Sequence, residues 1–491
     1  MKVLTGNQIK EADQATIKNE PISSYDLMER ASRNIAYWIS RNIDKGTPLL
    51  FLIGKGNNGG DGLAVARILS EKDYSCSITL LFPVESFSEE SSLNYKNLPK
   101  EINIIEKEKL DKLSENTIII DAILGTGVKG EITEPLSGII NKINCLPNKV
   151  ISIDIPSGMK TEFGNTEQII VKADITLTLE FPKIAMLLTE AGNYCGDIHI
   201  IPIGLDKEFI QQTPTPYFFI TSDITGKTLR KREKFAHKGT YGHALLICGS
   251  KGMMGAASLA TGGALRSGCG LVTAHIPQEE RFSLQTSFPS SLLSLDNGTC
   301  FSELPANLEK YTSIGIGSGL SKSKETVQAF TELLNGIKIP LVLDADALNI
   351  LAENKQLLKL VPKNSILTPH IGELKRLTGE WKDEQEKIKS AGELAKALES
   401  IVVVKGAYTM ITFPNGQYLF NSTGNAGMAK GGSGDVLTGF IAGLLARGYS
   451  SEEAAILGVY FHGLAGDKAA EKYGMESMNS FDMIKYLRVE M

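Results

Sequence analysis

Short apolar runs alternate with amphipathic stretches along the first half of the chain. Runs rich in Ile, Leu and Val predict strands at 48–53, 76–82, 117–123, 150–155, 175–179 and 197–203. Stretches with helical periodicity, such as 23–41 and 62–71, separate several of these strands. Strands that alternate with helices in this way indicate an α/β fold with a largely parallel, doubly wound sheet.

The alternation stops between residues 205 and 238 and then resumes. There QQTPTPYFF is followed by the charged run LRKREKFAHKG, which contains Glu233 and is more typical of a solvated linker than of a targeting or nucleic-acid patch. This break predicts a boundary near residue 220 and two domains, 1–220 and 221–491. After it, strands are expected at 243–248, 271–276, 313–316, 341–343, 365–367 and 401–404, with helices at 255–267, 322–335, 388–398, 436–447 and 452–473.

Length and composition favour a soluble globular protein with more than one core. The chain has 491 residues, 42% hydrophobic and 22% charged, and a net charge of −5, which is too small to indicate a nucleic-acid footprint. No apolar run reaches the length of a membrane span, and the N-terminus turns polar within its first residues, so we expect a cytoplasmic protein with no signal peptide. The cysteines have no CxxC pair, which predicts reduced, buried thiols: Cys76, Cys145, Cys195, Cys248, Cys269 and Cys300.

A glycine cluster in the second half runs directly into an apolar helix, in MAKGGSGDVLTGFIAGLL from Met428 to Leu445. Gly431, Gly432 and Gly434 allow several N–H groups to point toward one anion, and the helix dipole adds to their effect. Asp435 would repel such an anion. It is therefore better suited to take a proton from a hydroxyl that attacks phosphorus, although a capping role after a turn is the alternative.

A second glycine-rich loop, GKGNNGGDG, follows the first predicted strand. Its GxGxxG spacing is that of a dinucleotide-binding dehydrogenase, but the next strand ends in LLFPVES without an acidic residue for a ribose. The oxygens of Asn57, Asn58 and Asp61 suit a hard cation or a sugar–phosphate edge. Asp121, before GTGVKGE, and Asp154, in SIDIPSG, also lie at strand ends. The sequence therefore predicts one shared pocket.

GNNGGDGL, DAILGTGVKG and IDIPSG resemble the YjeF N-terminal family, the NAD(P)H-hydrate epimerases, over roughly residues 1–215. The resemblance implies that Asn58, Asp121 and Ser157 ligate potassium. A nicotinamide hydrated at C6 is a hemiaminal, and a carboxyl at Asp154 could give and take a proton there as catalytic residue. The implied substrate contacts are Asn57, Asn58, Gly59, Gly60, Asp61, Gly125, Thr126, Gly127, Val128, Lys129, Gly130, Glu131 and Asp154.

From about residue 237 the chain resembles the YjeF C-terminal family, the NAD(P)H-hydrate dehydratases, which have a ribokinase-like fold. The matching segments include HKGTYGHALLICGS, IGIGSGL, LVLDADALN, LTPHIGELKRL, VVVKGAYT and NSTGNAGMAKGGSGD. The implied nucleotide contacts are Lys405, Gly406, Ala407, Tyr408, Thr409 and Gly434. The implied hydrate contacts are Gly255, Ala256, Ala257, Gly317, Gly319, His370 and Asp435, although His370 alone would more simply be a helix-start histidine bonded to the backbone.

The resemblance implies repair of hydrated NADH and NADPH, NADHX and NADPHX. A nucleotide would phosphorylate the C6 hydroxyl with Asp435 as base. The nucleotide is ADP in the bacterial branch and ATP in the eukaryotic one, and the fused domains favour ADP. Mg²⁺ and K⁺ are the expected ions. Asp344 and Asp346 either order Mg²⁺ or cap a helix. We expect a homo-oligomer with no nucleic-acid or membrane partner. A ribokinase-type small-molecule kinase with an N-terminal ligand-binding or scaffold domain is the alternative.

Overall fold

The computed structural model describes residues 1–490, and the chain forms two compact units that divide between Tyr217 and Phe218. The strands of the first unit are β1 Leu49–Ile53, β2 Cys76–Leu80, β3 Asn103–Ile104, β4 Ile118–Ala122, β5 Val150–Ile153, β6 Ile175–Leu179 and β7 Asp197–Ile201. Its helices are α1 Gly6–Asn19, α2 Ser24–Asn42, α3 Asn57–Ser70, α4 Glu89–Lys96, α5 Leu136–Cys145, α6 Thr189–Gly192 and α7 Lys207–Gln212.

The first sheet is parallel and has the order β3-β2-β1-β4-β5-β6-β7. All five residues of its central strand β1 are fully buried. Leu49, Phe51 and Ile53 pack into the core on one face, and Leu50 and Leu52 pack into the core on the other. A strand covered on both faces explains the uninterrupted apolar run, and the predicted α/β class is confirmed.

Helix α3 begins at Asn57, so the expected start at residue 62 is wrong. The NNGGD segment is the first turn of the helix and not a loop before it. Glycine disfavours helix in isolation, but tertiary packing decides here. A Cβ on Gly59 would lie 2.0 Å from the Gly54 carbonyl oxygen, and a Cβ on Gly62 would lie 2.5 Å from Ala122 Cβ. The glycines let the helix N-terminus pack against the end of the sheet.

Helix α1 was not predicted from the hydrophobic pattern. It starts with a capping box, in which Thr5 Oγ1 accepts the Gln8 N–H and the Gln8 side chain accepts the Thr5 N–H. Only Gly6, Ala12 and Thr16 are buried, so the helix is too polar to give a clear amphipathic signal. Its inner face places Asp13 near the carboxyl edge of the sheet.

The strands of the second sheet are β8 Tyr217–Phe219, which begins at the last residue of the first unit, and then β9 His243–Ile247, β10 Leu271–Pro277, β11 Leu292–Asp296, β12 Ser313–Ile316, β13 Leu341–Leu343, β14 Ile366–Leu367, β15 Ile401–Val404, β16 Met410–Thr412 and β17 Tyr418–Phe420 of the second unit. Its helices are α8 Ser222–Thr228, α9 Met254–Arg266, α10 Arg281–Ser287, α11 Lys324–Gly336, α12 Ala345–Glu353, α13 Ile371–Thr378, α14 Glu384–Ala397, α15 Ser433–Ala446, α16 Ser451–Tyr473 and α17 Ser480–Tyr486. The expected helix starts at 388 and 436 therefore lie a few residues late.

The second sheet has ten strands in the order β11-β10-β9-β12-β13-β14-β15-β16-β17-β8. Its strands pair in parallel from β11 to β15, and β15, β16 and β17 then pair antiparallel. Helix α15 is buried along almost its whole length and packs against α9. Gly439 of α15 sits against the Ala260 carbonyl, and Gly263 of α9 sits against the Val436 carbonyl. Small residues at these contacts bring the two helix backbones close together.

The basic run near residue 230 has no regular structure and is largely exposed, but its arginines are fixed. Arg230 donates to the Gly448 carbonyl and to Glu453, and Arg232 lies 3.9 Å over the Tyr241 ring. The six cysteines are free thiols. The expectation that they are buried is confirmed for Cys195, Cys248 and Cys300, but Cys76 and Cys269 are half-buried and Cys145 is exposed. Within residues 1–490 no helix combines the length and apolar character needed to span a bilayer.

We expect Gly439→Ala to destabilise the second unit. The added Cβ would lie 1.8 Å from the Ala260 oxygen, and overpacking of this kind costs about 1–3 kcal/mol. The chain has two tryptophans, Trp38 in the first unit and Trp381 in the second. Fluorescence-monitored urea unfolding in a Trp38→Phe background therefore reports the second unit. Gly336→Ala is the matched control because its Cβ meets nothing within 4 Å, and equal midpoints for the two variants would contradict the close approach.

Candidate active sites in the two units

A cavity of about 780 Å³ lies in the first unit, with a mouth formed by loops that follow β1, β4 and β5. Three loops gather there because the carboxyl ends of parallel strands share one edge of the sheet. Among the residues predicted from the sequence, those lining the cavity are Asn57, Asn58, Asp61, Gly125, Thr126, Gly127, Val128, Lys129, Gly130, Glu131 and Asp154.

Four predicted residues lie beneath the cavity wall instead. Gly59 packs on Gly54, and Gly60 packs on Met28 and Ser91. Asp121 and Ser157 are fully buried. Any contact they make with a ligand therefore requires that ligand to reach below the lining residues.

Asp121 and Ser157 form the centre of a buried hydrogen-bond network. The Asp121 carboxylate accepts hydrogen bonds from Ser152 Oγ at 2.8 Å, from the Ser157 N–H at 2.8 Å, from Ser157 Oγ, and from the Ile123 N–H at 3.3 Å. Burial raises the pKa of Asp121 and these donors lower it again. The network joins the ends of β4 and β5.

The oxygen atoms around this network fit a potassium ion by their chemistry. Ser157 Oγ lies 3.2 Å from the Leu124 carbonyl oxygen, and Asn58 Nδ2 lies 3.0 Å from the same oxygen. Hydroxyl, amide, carboxylate and carbonyl oxygens are ligands of hard cations. Because Asp121 already accepts four hydrogen bonds, it would bind a cation directly only after losing one of these donors. Among residues 1–490, no three His, Cys, Asp or Glu side chains form a metal-binding cluster.

Asp154 is held in the left-handed region, with φ of 65°, at the end of β5. Its Oδ1 accepts the Leu179 N–H at 3.1 Å and a hydrogen bond from Lys183 Nζ. The Lys183 side chain is only 1% exposed, and its ammonium also donates to Thr178 Oγ1 and to the carbonyls of Leu179 and Phe181. These partners satisfy a buried cation and fix Asp154 at the cavity wall.

Two of the other carboxyl groups that line the cavity, Asp13 and Asp61, have perturbed titration. Burial raises the pKa of Asp13 to about 6, with a further increase from the charge of Asp154 and a decrease from Lys183. Burial also raises the pKa of Asp61 well above its usual value, assisted by Asp154 and opposed by the Ser32 hydroxyl. Asp13 and Lys183 were not predicted from the sequence, because neither lies in a glycine-rich motif.

In the second unit the GGSGD segment forms the start of α15. Gly432 precedes the helix with φ of 93°, and a Cβ there would also meet Leu259 at 2.3 Å, so only glycine fits. No side chain caps the helix N-terminus, and Asp435 lies in its first turn without a capping bond. The amides of this turn are therefore available to an anion. His462 Nε2 donates to the Ser433 carbonyl at 2.9 Å, and burial lowers the pKa of His462 to about 4, so it holds the turn as a neutral side chain.

A lysine–aspartate pair lies next to this turn. Lys405 Nζ is 2.7 Å from Asp344 Oδ1, and Thr438 Oγ1 donates to Asp344 Oδ2 at 2.8 Å. A Cβ on Gly434 would lie 3.3 Å from Lys405 Nζ, so the glycine sits directly beside the ammonium. Asp344 precedes α12 but makes no capping bond, which contradicts the capping alternative for this residue. Asp346 accepts the Ser321 N–H at 2.9 Å and therefore fixes a loop.

Asp435 is close to Ser318, Asp344 and Lys405. Burial raises its pKa, the Ser318 side chain and Lys405 lower it, and Asp344 raises it. The Ser318 hydroxyl is fully buried and has no hydrogen-bond partner of good geometry among the described residues. Gly317 and Gly319 of this loop were predicted as site residues, but the serine between them was not.

The remaining predicted residues of the second unit come from several elements, with Gly255, Ala256 and Ala257 in the first turn of α9. Gly319 abuts Ala256, since a Cβ on Gly319 would lie 3.0 Å from Ala256 Cβ, and Gly317 abuts the Asp344 carbonyl. His370 starts α13, where its Nδ1 accepts the Gly372 N–H at 3.0 Å, so the structural alternative of a histidine bonded to the backbone describes its present contacts. It is joined to Lys405 by a parallel bridge. Gly406, Ala407, Tyr408 and Thr409 form the turn after β15.

Comparison with known families matches both units. Residues 24–185 match the family described as YjeF-related protein N-terminus. Residues 244–488 match the family described as NAD(P)H-hydrate dehydratase.

Full-length relatives decide the assignment. A bifunctional NAD(P)H-hydrate repair enzyme from Moorella thermoacetica is 33% identical, over 99% of this chain and 96% of its own. One from Coxiella burnetii is also 33% identical, over 100% of this chain and 99% of its own. The chain belongs to the family of bifunctional NAD(P)H-hydrate repair enzymes. It combines an NAD(P)H-hydrate epimerase with a dehydratase, and the small-molecule kinase alternative is not supported.

A solved structure is also similar to part of this chain. It is the ADP/ATP-dependent NAD(P)H-hydrate dehydratase from Bacillus subtilis, co-crystallised with ATP and Mg²⁺. It is 33% identical, covers 55% of this chain and 96% of its own, and has a TM-score of 0.49.

We expect Lys183→Met to destabilise the first unit by about 3–5 kcal/mol, because it leaves the Asp154 carboxylate without its buried partner. Urea unfolding followed by Trp38 fluorescence in a Trp381→Phe background measures the change. The double variant with Asp154→Asn should recover part of the loss. Lys172→Met, which removes an exposed lysine, is the control. A Lys183→Met midpoint equal to that of the control would show that the ion pair adds nothing to stability.

Proposed function

We propose that the cavity of the first unit is where the two epimers of the hydrate interconvert, with Asp154 as a catalytic acid–base group. The observation that carries this proposal is the placement of Asp154. Its carboxylate reaches the wall of a substrate-sized cavity and is fixed by a buried lysine and a backbone N–H. A fixed carboxyl that exchanges a proton with the C6 hydroxyl lets the ring nitrogen expel it and lets water return.

We also propose that Asn58, Ser157 and Asp121 hold potassium beside this cavity. When bound, the ion supplies positive charge that offsets the substrate phosphates and ties the loops after β1, β4 and β5 together. The shared network of Asp121, Ser157 and the Leu124 carbonyl supports this role, since it already connects two of these loops. The potassium ion contributes to substrate binding, whereas Asp154 contributes to turnover.

For the second unit we propose phosphoryl transfer to the C6 hydroxyl, with ADP as donor and Asp435 as base. Asp435 takes the hydroxyl proton, the oxygen attacks the terminal phosphorus, and the bond to the leaving nucleotide oxygen breaks. Phosphate then departs from C6 with the bonding electrons while the ring nitrogen forms an iminium. Loss of a C5 proton restores the dihydronicotinamide. Burial raises the pKa of Asp435, which makes it a stronger base than an exposed aspartate.

The surrounding residues support a nucleotide at the same place. The first-turn amides of α15, Gly434 and the Lys405 ammonium converge on one point, where they would bind terminal phosphate oxygens. The turn 405–409 would hold the remainder of the phosphates, and Mg²⁺, held largely by those phosphates near Asp344, would supply further positive charge. The first turn of α9 at residues 255–257, the loop 317–319 and His370 would line the hydrate pocket.

We expect Asp435→Asn to lower the dehydration kcat by on the order of 10²–10⁴, because the amide keeps the shape of the side chain and removes the base. Nucleotide affinity should change by no more than a few-fold. NADH formation followed by absorbance gives the rate, and calorimetry with ADP gives the affinity. Asp223→Asn, at an exposed position of the second unit, is the control. An Asp435→Asn chain that keeps more than about half of the wild-type turnover would show that another group is the base.

We expect replacement of potassium by a large organic cation to raise the KM of epimerisation more than it lowers kcat, because the ion acts on binding. Asn58→Ala should raise KM in potassium and make it insensitive to the replacement. Epimer ratios measured by chromatography across substrate concentrations, without nucleotide, report the epimerase alone. If kcat falls while KM stays constant, the ion acts on the reacting atoms and the binding role is wrong.

A further inference from the structure

Asp13 is a carboxyl group in the epimerase cavity that takes no part in the chemistry described so far. It projects from α1, whereas Asp61 comes from α3, Asp154 from the end of β5 and Lys183 from the segment after β6. All four residues line the same cavity. The other charged groups that line the cavity are Lys10 on the same helix as Asp13, Lys55 next to α3, and Lys129, Glu131 and Glu134 between β4 and α5.

The carboxyl groups have different environments. Asp154 is in contact with the buried ammonium of Lys183. Burial and the charge of Asp154 raise the pKa of the Asp13 carboxyl to about 6, and the charge of Lys183 lowers it in part. Two carboxyl groups in one cavity whose surroundings differ in this way suit separate acid and base roles.

Epimerisation requires proton transfer on two sides of one ring. The leaving hydroxyl and the returning water occupy opposite faces of C6, and one fixed side chain reaches only one of them. Lys183 and the Leu179 N–H fix Asp154, so it cannot swing from one face to the other. A second proton-transfer group is therefore needed.

We propose that Asp13 is this second catalytic group and exchanges a proton with the hydrate on the face opposite to Asp154. The proposal rests on the role given to Asp154 above. Asp13 protonates the C6 hydroxyl, the C6–O bond breaks with both electrons on oxygen, and the nitrogen lone pair forms the iminium. Water then adds to the other face, the iminium electrons return to nitrogen, and Asp154 takes the released proton. No atom is gained or lost, and the proton has moved from one carboxyl to the other.

The reverse reaction uses the same pair with the proton on Asp154. The enzyme forms that start the forward and the reverse reaction therefore carry the same number of protons. They differ only in which of the two carboxyl groups holds the proton. Because acid action needs the pair to hold one proton, epimerisation should slow as the pH rises through the pKa of Asp13, about 6. The pH dependence should be identical from either pure epimer.

The test uses the full-length chain, one pure epimer and no nucleotide, with the uncatalysed rate subtracted at each pH. For Asp13→Asn we expect kcat to fall by on the order of 10²–10⁴, a KM within a few-fold of wild type, and loss of the decline above pH 6. Asp13→Glu should restore part of kcat. Glu11→Gln removes the same charge from an exposed site on the same helix and should behave as wild type.

Two further measurements separate this role from a structural one. Asn resembles the neutral acid, so Asp13→Asn should not lower the unfolding midpoint of the first unit at pH 7, and dehydration of the substrate epimer should remain normal. The proposal would be overturned if kcat for Asp13→Asn were within about two-fold of wild type, or if its kcat still declined above pH 6. It would also be overturned if the loss of kcat were matched by unfolding of the variant. If Asp154→Asn keeps full kcat while Asp13→Asn does not, the role of Asp154 fails instead.

Discussion

Each unit of this enzyme holds a lysine–aspartate ion pair at the carboxyl edge of its sheet, and the candidate chemistry is arranged around it. In the first unit Lys183 pairs with Asp154, and in the second Lys405 pairs with Asp344. A buried charge is costly unless it is paired and hydrogen-bonded. The four partners of Lys183 and the Thr438 hydroxyl on Asp344 meet that requirement. The pairs fix charged groups where loops, glycines and helix ends converge.

The two ion pairs differ in which charged group they present to a ligand. Because Lys183 is only 1% exposed, a ligand in the cavity meets carboxylates, and the lysine positions one of them, Asp154. Lys405 is 22% exposed beside Gly434 and the start of α15, so here the cation itself faces the place proposed for phosphate. One arrangement suits proton exchange on a hemiaminal, and the other suits transfer of a charged phosphoryl group. The family combines an epimerase and a dehydratase in one chain, and we propose that these two arrangements serve them.

The sequence predicts the α/β class and the loops at strand ends, because apolar runs such as 49–53 and turn residues such as Gly54 and Asp154 are local signals. It does not predict the start of α3 at Asn57, since glycines that disfavour a helix locally are required there by close packing. Asp13, Lys183 and Ser318 were missed for another reason. Nothing beside Asp13 or Lys183 in the chain shows that they line a cavity, or that folding brings Asp13 close to residues as distant in sequence as Asp154. Ser318 was overlooked although it lies between two predicted glycines. Their chemistry is set by tertiary contact.

We propose that the two sites divide the work, with Asp154 serving only the exchange of epimers. A chromatographic time course of both epimers, in a mixture with ADP and the full-length Asp154→Ala chain, tests this most directly. One epimer should disappear at the wild-type rate, and the other should remain and decline only as fast as it does without enzyme. Consumption of both epimers at the wild-type rate would contradict the account.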